Sequence, residues 1–267
     1  MIYFCPTPIG NLKDVTKRTL EVLESVDIIA AEDTRITLKL LNNYDIKKKM
    51  ISYHKFNEKE QSERIIELSY ENDIAIVTDA GLPGISDPGE VLAKRLIEED
   101  IEFQVLPGPN AALTALVLSG LDTEHFMFYG FLDSKSSHRK KELTGLKDFP
   151  FTTIFYEAPH RLESTLKDIY EVYGNRRVSI SRELTKMYEE TKRDTLEFFV
   201  NNFEAIKLKG EFVIVIEGKE EEVVEVDIEK LLKEKIESGV KKSQAVKEIS
   251  KEYNIPKNDV YKVSLEV

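Results

Sequence analysis

The sequence predicts an α/β fold of two αβα domains with a cleft between them, followed by a small helical domain that resembles a helix-turn-helix. Short β-branched segments alternate with amphipathic stretches, and the alternation restarts after residue 119. The composition then turns acidic and afterwards lysine-rich beyond residue 218. Alternating strands and helices are typical of a largely parallel sheet with helices on both faces. We therefore expect domains at 1–119, 120–219 and 220–267.

The first domain contains short segments rich in β-branched or aromatic residues, which predict strands. Amphipathic helices are predicted at 16–26 and 58–71, where apolar residues recur three or four positions apart. The predicted strands are Ile2–Cys5, Ile28–Ala31, Met50–Tyr53, Ile74–Val77 and Phe103–Leu106.

The second domain repeats the pattern. Its predicted strands are Phe126–Phe131, Thr152–Glu157, Arg177–Glu183 and Glu211–Gly218, with a helix at 161–173. An acidic linker at 218–226 and three short helices at 227–239, 242–254 and 256–266 follow. Lysines outnumber acids from residue 241 onward, so a solvated helical hairpin and a nucleic-acid contact are both open readings. These lysines are Lys241, Lys242, Lys247, Lys251, Lys257 and Lys262.

Composition excludes several classes of protein. A single cysteine, Cys5, rules out an intramolecular disulfide, and four scattered histidines give no metal-ligand spacing, so we expect no metal. We expect a cytoplasmic protein with no membrane partner, because neither a signal peptide nor an apolar run of membrane-spanning length is present. The net charge of −11 argues against indiscriminate nucleic-acid binding, yet it leaves room for a specific RNA met by local basic surface.

The stretch "TDAGLPGISDPG" at 78–89 is a glycine-rich loop after a predicted buried strand. It lacks the lysine of a phosphate-binding loop and the GxGxxG spacing of a dinucleotide site. Asp79, at the carboxyl end of the strand, is expected to face a ligand. Asp87, Pro88 and Glu90 are instead expected to begin a helix as its N-cap, first and third residues. Two carboxylates would repel a polyphosphate and suit a ligand with hydroxyls, an amine or a positive centre.

Two further rigid loops follow predicted strands. One, at 5–11, contains Pro6, Pro8 and Gly10, and the other, at 106–110, ends on Asn110, which could cap a helix beginning at Ala111. Three such loops at strand ends favour one lined pocket over three unrelated turns, although simple turn chemistry is the alternative.

Polar clusters also follow strands, at 31–35, 53–58, 156–161 and 181–190. Each charged group could simply pair with a neighbour on the surface. Their common position at strand ends favours a shared polar site.

The motifs "TPIGNL", "AEDTR", "DAGLPGISDPG", "PGPNA", "YEAPHR" and "RELTK.YEE" with "GE.VIVI" occur in order from Tyr3 to about Gly218. Together they resemble the tetrapyrrole-methylase superfamily, and more closely its branch of small-subunit ribosomal RNA ribose 2′-O-methyltransferases I. Asn110 stands where this family commonly has serine, and "GFLDSKSSHRKK" lacks the more usual proline after "GFL".

The resemblance implies S-adenosylmethionine as methyl donor in the cleft between two α/β domains of the tetrapyrrole-methylase type. It also implies a homodimer and transfer to the 2′-hydroxyl of a cytidine in the decoding region of 16S rRNA within the small ribosomal subunit.

The candidate site residues follow from these motifs and clusters. The expected donor-site residues are Pro8, Gly10, Asp79, Gly81, Pro83, Asn110, Ala111, Tyr156, Glu157 and Ala158. Glu183 and Lys186 are the expected catalytic residues on the acceptor side, with Glu32, Asp33 and His54 as further candidates for a base. As a base, Lys186 would have to be neutral.

RNA contact is expected from a basic loop at 134–141 and from the C-terminal helices. The expected RNA-contact residues are Arg35, His54, Lys55, Arg139, Lys140, Lys141 and Arg161.

Two other functions are compatible with a pocket and a helical tail. One is a non-enzymatic, ligand-sensing regulator with a helix-turn-helix, and the other is methylation of a tetrapyrrole precursor. The number of polar clusters and the acidic net charge disfavour the regulator, and the basic loop and tail favour RNA over a tetrapyrrole.

Overall fold

The computed structural model describes residues 1–219, 227–253 and 255–266. Residues 1–219 form one compact unit, and the segment after Lys219 forms another. Most of the predicted acidic linker, from residue 220 to 226, lies outside the described residues. The predicted boundary at residue 119 falls within the first unit and stays a prediction.

The first sheet is parallel throughout, with strand order β3-β2-β4-β1-β5. Its register sets Ile2 beside Ile74 on one side and beside Phe103 on the other. Its strands are β1 (Ile2–Phe4), β2 (Ile28–Ala31), β3 (Lys49–Ser52), β4 (Ile74–Val77) and β5 (Phe103–Val105). The helices between them are α1 (Lys17–Ser25), α2 (Thr34–Asn43), α3 (Glu58–Ser69) and α4 (Glu90–Glu98), with a 3₁₀ turn at Leu12–Asp14.

Helices cover both faces of this sheet. Leu92 and Leu96 of α4 and Ile65 of α3 pack on one face. Leu23 of α1 and Leu41 of α2 pack on the other. All residues of β2 and β4 are buried, as the apolar runs "IIAA" and "IAIV" require of strands covered on two sides.

The second sheet is mixed, with strand order β6-β7-β10-β8-β9. Only β6 and β7 pair in parallel, while β10 runs antiparallel to both β7 and β8. The polar edge strand β9, which pairs antiparallel with β8, was missed by sequence reasoning. The elements are β6 (Phe126–Phe131), β7 (Thr152–Glu157), β8 (Arg177–Arg182), β9 (Glu190–Thr195) and β10 (Phe212–Ile216), with a 3₁₀ turn at Phe203–Ala205.

The helix that follows the first sheet packs on the second one. This helix, α5 (Ala111–Ser119), places Ala112, Ala115 and Leu116 against Ile154 and Val215 of the second sheet. The remaining helices of the first unit cover the opposite face. They are α6 (Ser136–Leu146), α7 (Leu162–Tyr173) and α8 (Leu196–Asn201). Helix α5 therefore fixes the two sheets to each other.

The prediction of a basic loop at 134–141 is wrong, because most of this segment is helical. Residues from Ser136 onward belong to α6. Helix α6 buries Leu143 among the apolar residues beneath the second sheet, so the basic residues lie on a packed helix rather than a mobile loop.

The described residues after Lys219 contain the three short helices that the sequence predicts. They are α9 (Ile228–Glu237), α10 (Lys242–Glu252) and α11 (Lys257–Ser264). A small core of Leu232, Val246, Ile249 and Val260 holds them together. The six lysines named above are all exposed on this unit.

No helix in the described part of the chain is long and apolar enough to cross a membrane.

Candidate active site

The loops after β1 and β4 are joined at the carboxyl edge of the first sheet. Thr7 N donates to Gly81 O at 2.9 Å, and Gly81 N donates to Thr7 O at 3.0 Å. Thr7 Oγ1 also donates to Thr78 O at 3.0 Å. Gly81 has a φ of +82°, which glycine adopts without strain, so the loop can turn tightly beside the bridge.

A cavity of about 400 Å³ opens beside this bridge, with walls from both sheets. Ligand sites of α/β folds concentrate at the carboxyl ends of parallel strands. Of the expected donor-site residues, Asp79, Gly81, Asn110, Ala111, Tyr156, Glu157 and Ala158 line it. Pro8, Gly10 and Pro83 do not, although their neighbours Ile9 and Leu82 do. The structure thus brings together parts of three loops and of β7 that lie far apart in sequence.

The charged residues that line the cavity are all acidic. They are Glu32, Asp79, Asp87, Glu157 and Glu211, and no lysine or arginine is among the lining residues that the structure describes. Apolar groups complete the walls, notably Ile9, Leu82, Ile85, Phe131 and Val213. The cavity is therefore suited to a partly apolar ligand with a positive centre and unsuited to a polyphosphate.

The carboxylates of Glu32 and Asp79 bind backbone amides across the two loops beside the cavity. Asp79 N donates to Glu32 Oε2 at 3.3 Å, and Asp33 N donates to Asp79 Oδ1 at 3.1 Å. Burial raises the pKa of both carboxyl groups, and the negative charges nearby add to the rise. These two loops are consequently tied together through groups that face the ligand space.

The expected role of Asp87 as a helix N-cap is wrong. Helix α4 begins at Glu90 with Gly89 at the N-cap and no side-chain cap there. Glu58 of α3 supplies the missing acceptor instead, since its Oε1 accepts from Gly89 N at 2.8 Å and from Val91 N at 3.3 Å. Asp87 is free to line the cavity, where burial and the charges of Glu32, Asp79 and Glu211 raise its pKa to about 7.

Glu157 is among the residues that line the cavity, and its carboxylate is held by neighbours in and after the turn that follows β7. The carboxylate is buried and pairs with Arg161 Nε at 3.0 Å. It also accepts from Thr165 Oγ1 at 2.5 Å and from Ala158 N at 2.8 Å. Arg161 in turn donates to Leu132 O at 2.6 Å, so both side chains fix the turn after β7.

The expected catalytic pair lies at the second-sheet side of the cavity, joined to its wall through Glu211. Lys186 Nζ lies 2.9 Å from Glu183 Oε1 and 3.1 Å from Glu211 Oε2. Burial alone would lower the pKa of Lys186, but the two carboxylates outweigh it and raise the pKa. Burial would raise the pKa of Glu183, and Lys186 reverses that, leaving it lowered. The two carboxylates thus act against the lowered pKa that Lys186 would need to serve as a neutral base.

The turn that carries this pair is strained and packs closely on the loop after β1. Glu183 and Thr185 have φ values of +52° and +65°, which side chains rarely adopt. Asn11 N donates to Thr185 Oγ1 at 3.0 Å. A Cβ on Gly10 would collide with the Lys186 side chain and lie 2.9 Å from Leu184 O. Gly10 therefore supports the Lys186 turn rather than facing the cavity.

The expected RNA-contact residues on the first sheet have different surroundings. Arg35 is 87% exposed and forms an ion pair with Asp33, the side chain that caps α2. Lys55 is exposed on the segment after β3. His54 is partly buried, and its Nδ1 makes no hydrogen bond within the described residues. Arg35 and Lys55 are available to a partner at the surface.

Arg139 was expected to contact RNA, and this expectation is wrong. Its side chain is 2% exposed and pairs with the carboxylate of Asp168 through Nε and Nη2, at 2.8 Å for Nε. Lys140 bridges Glu171 at 2.6 Å and Asp168 at 3.6 Å, whereas Lys141 is exposed. Arg139 is thus a structural residue that anchors α6 to α7.

Glu211 and Phe131 are wall residues that sequence reasoning did not single out. Phe131 lies at the carboxyl end of a predicted strand, where ligand sites of α/β folds concentrate, and that position was the available signal. Glu211 lies at the amino end of its predicted strand, so the same rule did not indicate it. No group of three or more histidine, cysteine or acidic side chains within the described ranges could hold a metal ion.

Comparison with known proteins agrees with this architecture. A model of the tetrapyrrole (corrin/porphyrin) methylases matches residues 1–199. The crystal structure of uroporphyrin-III-C-methyltransferase from Thermus thermophilus superposes with a TM-score of 0.59, covering 81% of this chain and 93% of that one. At 19% identity this likeness shows the fold alone.

Two relatives with much higher sequence identity indicate the family within this fold. Ribosomal RNA small subunit methyltransferase I of Halalkalibacterium halodurans is 45% identical, over 98% of this chain and 93% of that protein. The protein of the same name from Bacillus subtilis is 44% identical, over 98% and 92%. The chain therefore belongs to the ribosomal RNA small subunit methyltransferase I family of the tetrapyrrole methylases, and it is a methyltransferase.

Proposed function

We propose that this protein methylates the 2′-hydroxyl of a cytidine in the decoding region of 16S rRNA, with S-adenosylmethionine as donor. The observation that carries the proposal is the acidic cavity at the carboxyl edge of the first sheet, with no lysine or arginine among its described lining residues, in a chain of this family. Because the ribosomal subunit is the substrate, the protein acts in the cytoplasm.

The residues of the cavity fit this donor. S-adenosylmethionine supplies an electrophilic methyl group on a sulfonium and carries no phosphate. Its positive charge suits the carboxylates of Asp79 and Asp87, and its adenine and ribose suit walls such as Leu82 and Phe131. Asn110 and Ala111 bring the start of α5 to the same space.

On the acceptor side we assign Lys186 the role of a cation and hydrogen-bond donor. Because it is paired with Glu183 and Glu211, it stays charged and can hold a phosphate or hydroxyl of the RNA. Glu183 then positions the ammonium group. Holding the ribose in line with the methyl group is expected to supply most of the rate enhancement.

Basic side chains on the surface outside the cavity would bind the RNA. Arg35, Lys55 and Lys141 are exposed, and so are the lysines of α10 and α11. Contacts from such side chains to phosphates fix the position of a nucleic acid without reading its sequence. Local patches of this kind reconcile RNA binding with the net charge of −11.

We also propose that the protein is a homodimer. Helix α5 is apolar on all sides, and Leu113 and Val117, 49% and 74% exposed, lie one turn apart on its outer face. A helix that is apolar all round is normally covered. A second copy is the partner that the family resemblance supplies.

The decisive experiment offers labelled S-adenosylmethionine with undermodified small subunits, naked 16S rRNA or uroporphyrinogen III. Label is expected on a cytidine 2′-oxygen of the RNA. Label on the uroporphyrinogen alone would instead support tetrapyrrole methylation, the activity that the Thermus thermophilus structure is named for.

The donor site has its own test. Asp79→Ala should weaken donor binding in calorimetry, and Glu90→Gln, an exposed carboxylate paired with Lys94, is the control. Undiminished affinity in a folded Asp79→Ala protein would remove Asp79 from the donor site.

The tail is tested by charge reversal. Lys247→Glu with Lys251→Glu should lower methylation of small subunits while leaving donor binding unchanged. Unchanged methylation would exclude these two lysines of α10 from RNA contact.

A further inference from the structure

The carboxylate of Asp87 differs from the other acidic side chains of the cavity. Glu32 and Asp79 accept backbone hydrogen bonds, Glu211 pairs with Lys186, and Glu157 pairs with Arg161. Asp87 accepts no hydrogen bond and makes no ion pair within the described residues. The carboxylate of Asp87 therefore lies at the wall of a ligand cavity and has no structural partner in the described part of the chain.

The groups that face Asp87 are themselves acidic or neutral. Glu32 after β2, Asp79 after β4 and Glu211 before β10 act on it through their negative charges. Burial raises the pKa of the Tyr156 hydroxyl to about 12, and the negative charge of Asp87 adds to the rise, so Tyr156 of β7 also lies close to Asp87. No cation from the described residues offsets this field, so the empty cavity favours a proton on Asp87.

We propose that Asp87 is the residue that distinguishes the donor from its product by charge, holding a proton unless a cation occupies the cavity. The inference rests on the proposed function and goes beyond it, because it assigns a specificity role to one side chain. A sulfonium beside Asp87 supplies the missing positive charge and expels the proton. The neutral thioether of S-adenosylhomocysteine does not.

The charge balance of the reaction agrees with this assignment. As the methyl group moves from sulfur to the ribose oxygen, the S–C electron pair stays on sulfur and the hydroxyl loses its proton. The cavity loses one positive charge in the same step. Asp87 Oδ can take up that proton, directly or through water, which neutralises the wall and weakens the hold on the product.

The expected size of the effect follows from the position of the titration. With its pKa raised to about 7, Asp87 is about one-tenth ionised at pH 6 and about nine-tenths ionised at pH 8. The ratio of the product's Kd to the donor's Kd should therefore be about tenfold larger at pH 8 than at pH 6. The donor and the product carry the same amino acid group, so the effect of its titration on the two Kd values cancels in this ratio.

The experiment measures both dissociation constants by calorimetry at pH 6 and pH 8, for the full chain and for Asp87→Asn. The wild type should show the tenfold change, and Asp87→Asn should show less than a twofold change. Asp87→Glu keeps the charge and should restore the pH dependence. Titrations at pH 6.5 in buffers of different ionisation enthalpy should show more protons released by the donor than by the product in the wild type only.

A matched control removes a nearby carboxylate that does not face the cavity. Glu90→Gln, three residues along the chain, loses an exposed acid paired with Lys94 and should behave as the wild type. A pH-independent ratio in the wild type, or the same pH dependence in Asp87→Asn, would overturn the inference while leaving the proposed function intact. Failure of the wild type to bind the donor at pH 8 would overturn the proposed function itself.

Discussion

The rim of the cavity built by the first sheet and the rim built by the second both carry acidic residues, but among the residues that the structure describes only those on the second rim are paired with cations. Glu32, Asp79 and Asp87 on the first rim make no ion pair within the described residues, and their pKa values are raised. On the second rim Arg161 pairs with Glu157, and Lys186 pairs with Glu183 and Glu211.

The difference separates ligand-facing groups from structural ones. A carboxylate with a cation partner is stabilised in its charged form and holds the fold, as Glu183 does with its lowered pKa. A desolvated carboxylate without a cation costs stability until a ligand supplies the charge. Under the proposed function, the donor supplies the positive charge that the first rim lacks, and the second rim orders the acceptor.

The largest effect is expected from breaking the buried ion pair behind the second rim. Arg139→Ala should lower the free energy of unfolding by about 3–5 kcal/mol, because it leaves the buried carboxylate of Asp168 without its main partner. Urea unfolding measures the change. The neighbouring Lys141→Ala, at an exposed position, should change stability little. Equal effects from both substitutions would show that Arg139 is not a structural residue.

The Lys186 turn packs closely on the loop after β1, and disturbing this packing should give the next largest loss of stability. Gly10→Ala places a Cβ 2.9 Å from Leu184 O and 2.8 Å from Thr185 Oγ1, so the turn must shift. We expect a loss of about 1–3 kcal/mol in the free energy of unfolding, together with reduced methylation.

Gly145→Ala is the matched control for that change. An added Cβ at Gly145 in α6 meets nothing within 4 Å, and alanine favours a helix by about 0.5–1 kcal/mol. Stabilisation at Gly145 with no loss at Gly10 would contradict the contact between the two rims.

The sequence allowed much of the first sheet to be predicted, because its buried strands are continuous apolar runs separated by amphipathic helices. The second sheet was harder. Strand β9 has the sequence "ETKRDT" and lies at an edge, where polar residues are normal and no apolar pattern marks a strand. Periodicity also gives no information about strand direction, so the antiparallel pairing of β10 was not predicted.

The wrong roles expected for Asp87 and Arg139 have one physical cause. "SDPGE" satisfies the local pattern for a helix start, but Glu58, 31 residues from Gly89, caps α4 instead. The run "SSHRKK" has the composition of solvated surface, but Asp168, 29 residues from Arg139, buries its guanidinium. In both positions a distant partner decides the role, and a single sequence does not show such partners.

The unpaired charge of Asp87 on the first rim should lower the free energy of unfolding. An aspartate ordinarily titrates near 3.8, and Asp87 in the folded protein titrates at about 7. Between these values the folded state binds more protons than the unfolded state, so stability falls as the pH rises. Asp87→Asn removes this cost and should raise the free energy of unfolding by about 1–2 kcal/mol at pH 8.

The pH dependence provides the check on that expectation. At pH 4 Asp87 is protonated in the folded wild type, so Asp87→Asn should change stability little there. Urea unfolding at both pH values compares the two proteins. A gain of the same size at pH 4 and pH 8 would mean that the charge of Asp87 is not its cause.

The smallest effect concerns the helix that joins the two rims. Asn110 Oδ1 accepts from Leu113 N at 3.0 Å and so caps α5, as the sequence predicts. Asn110→Ala should cost about 1 kcal/mol of unfolding free energy, because one backbone donor at the helix start loses its acceptor. Asn110→Ser should cost only a few tenths, since a serine oxygen caps nearly as well. If Asn110→Ser weakens donor binding although stability is kept, the amide itself contacts the ligand and the cap belongs to the first rim's binding surface.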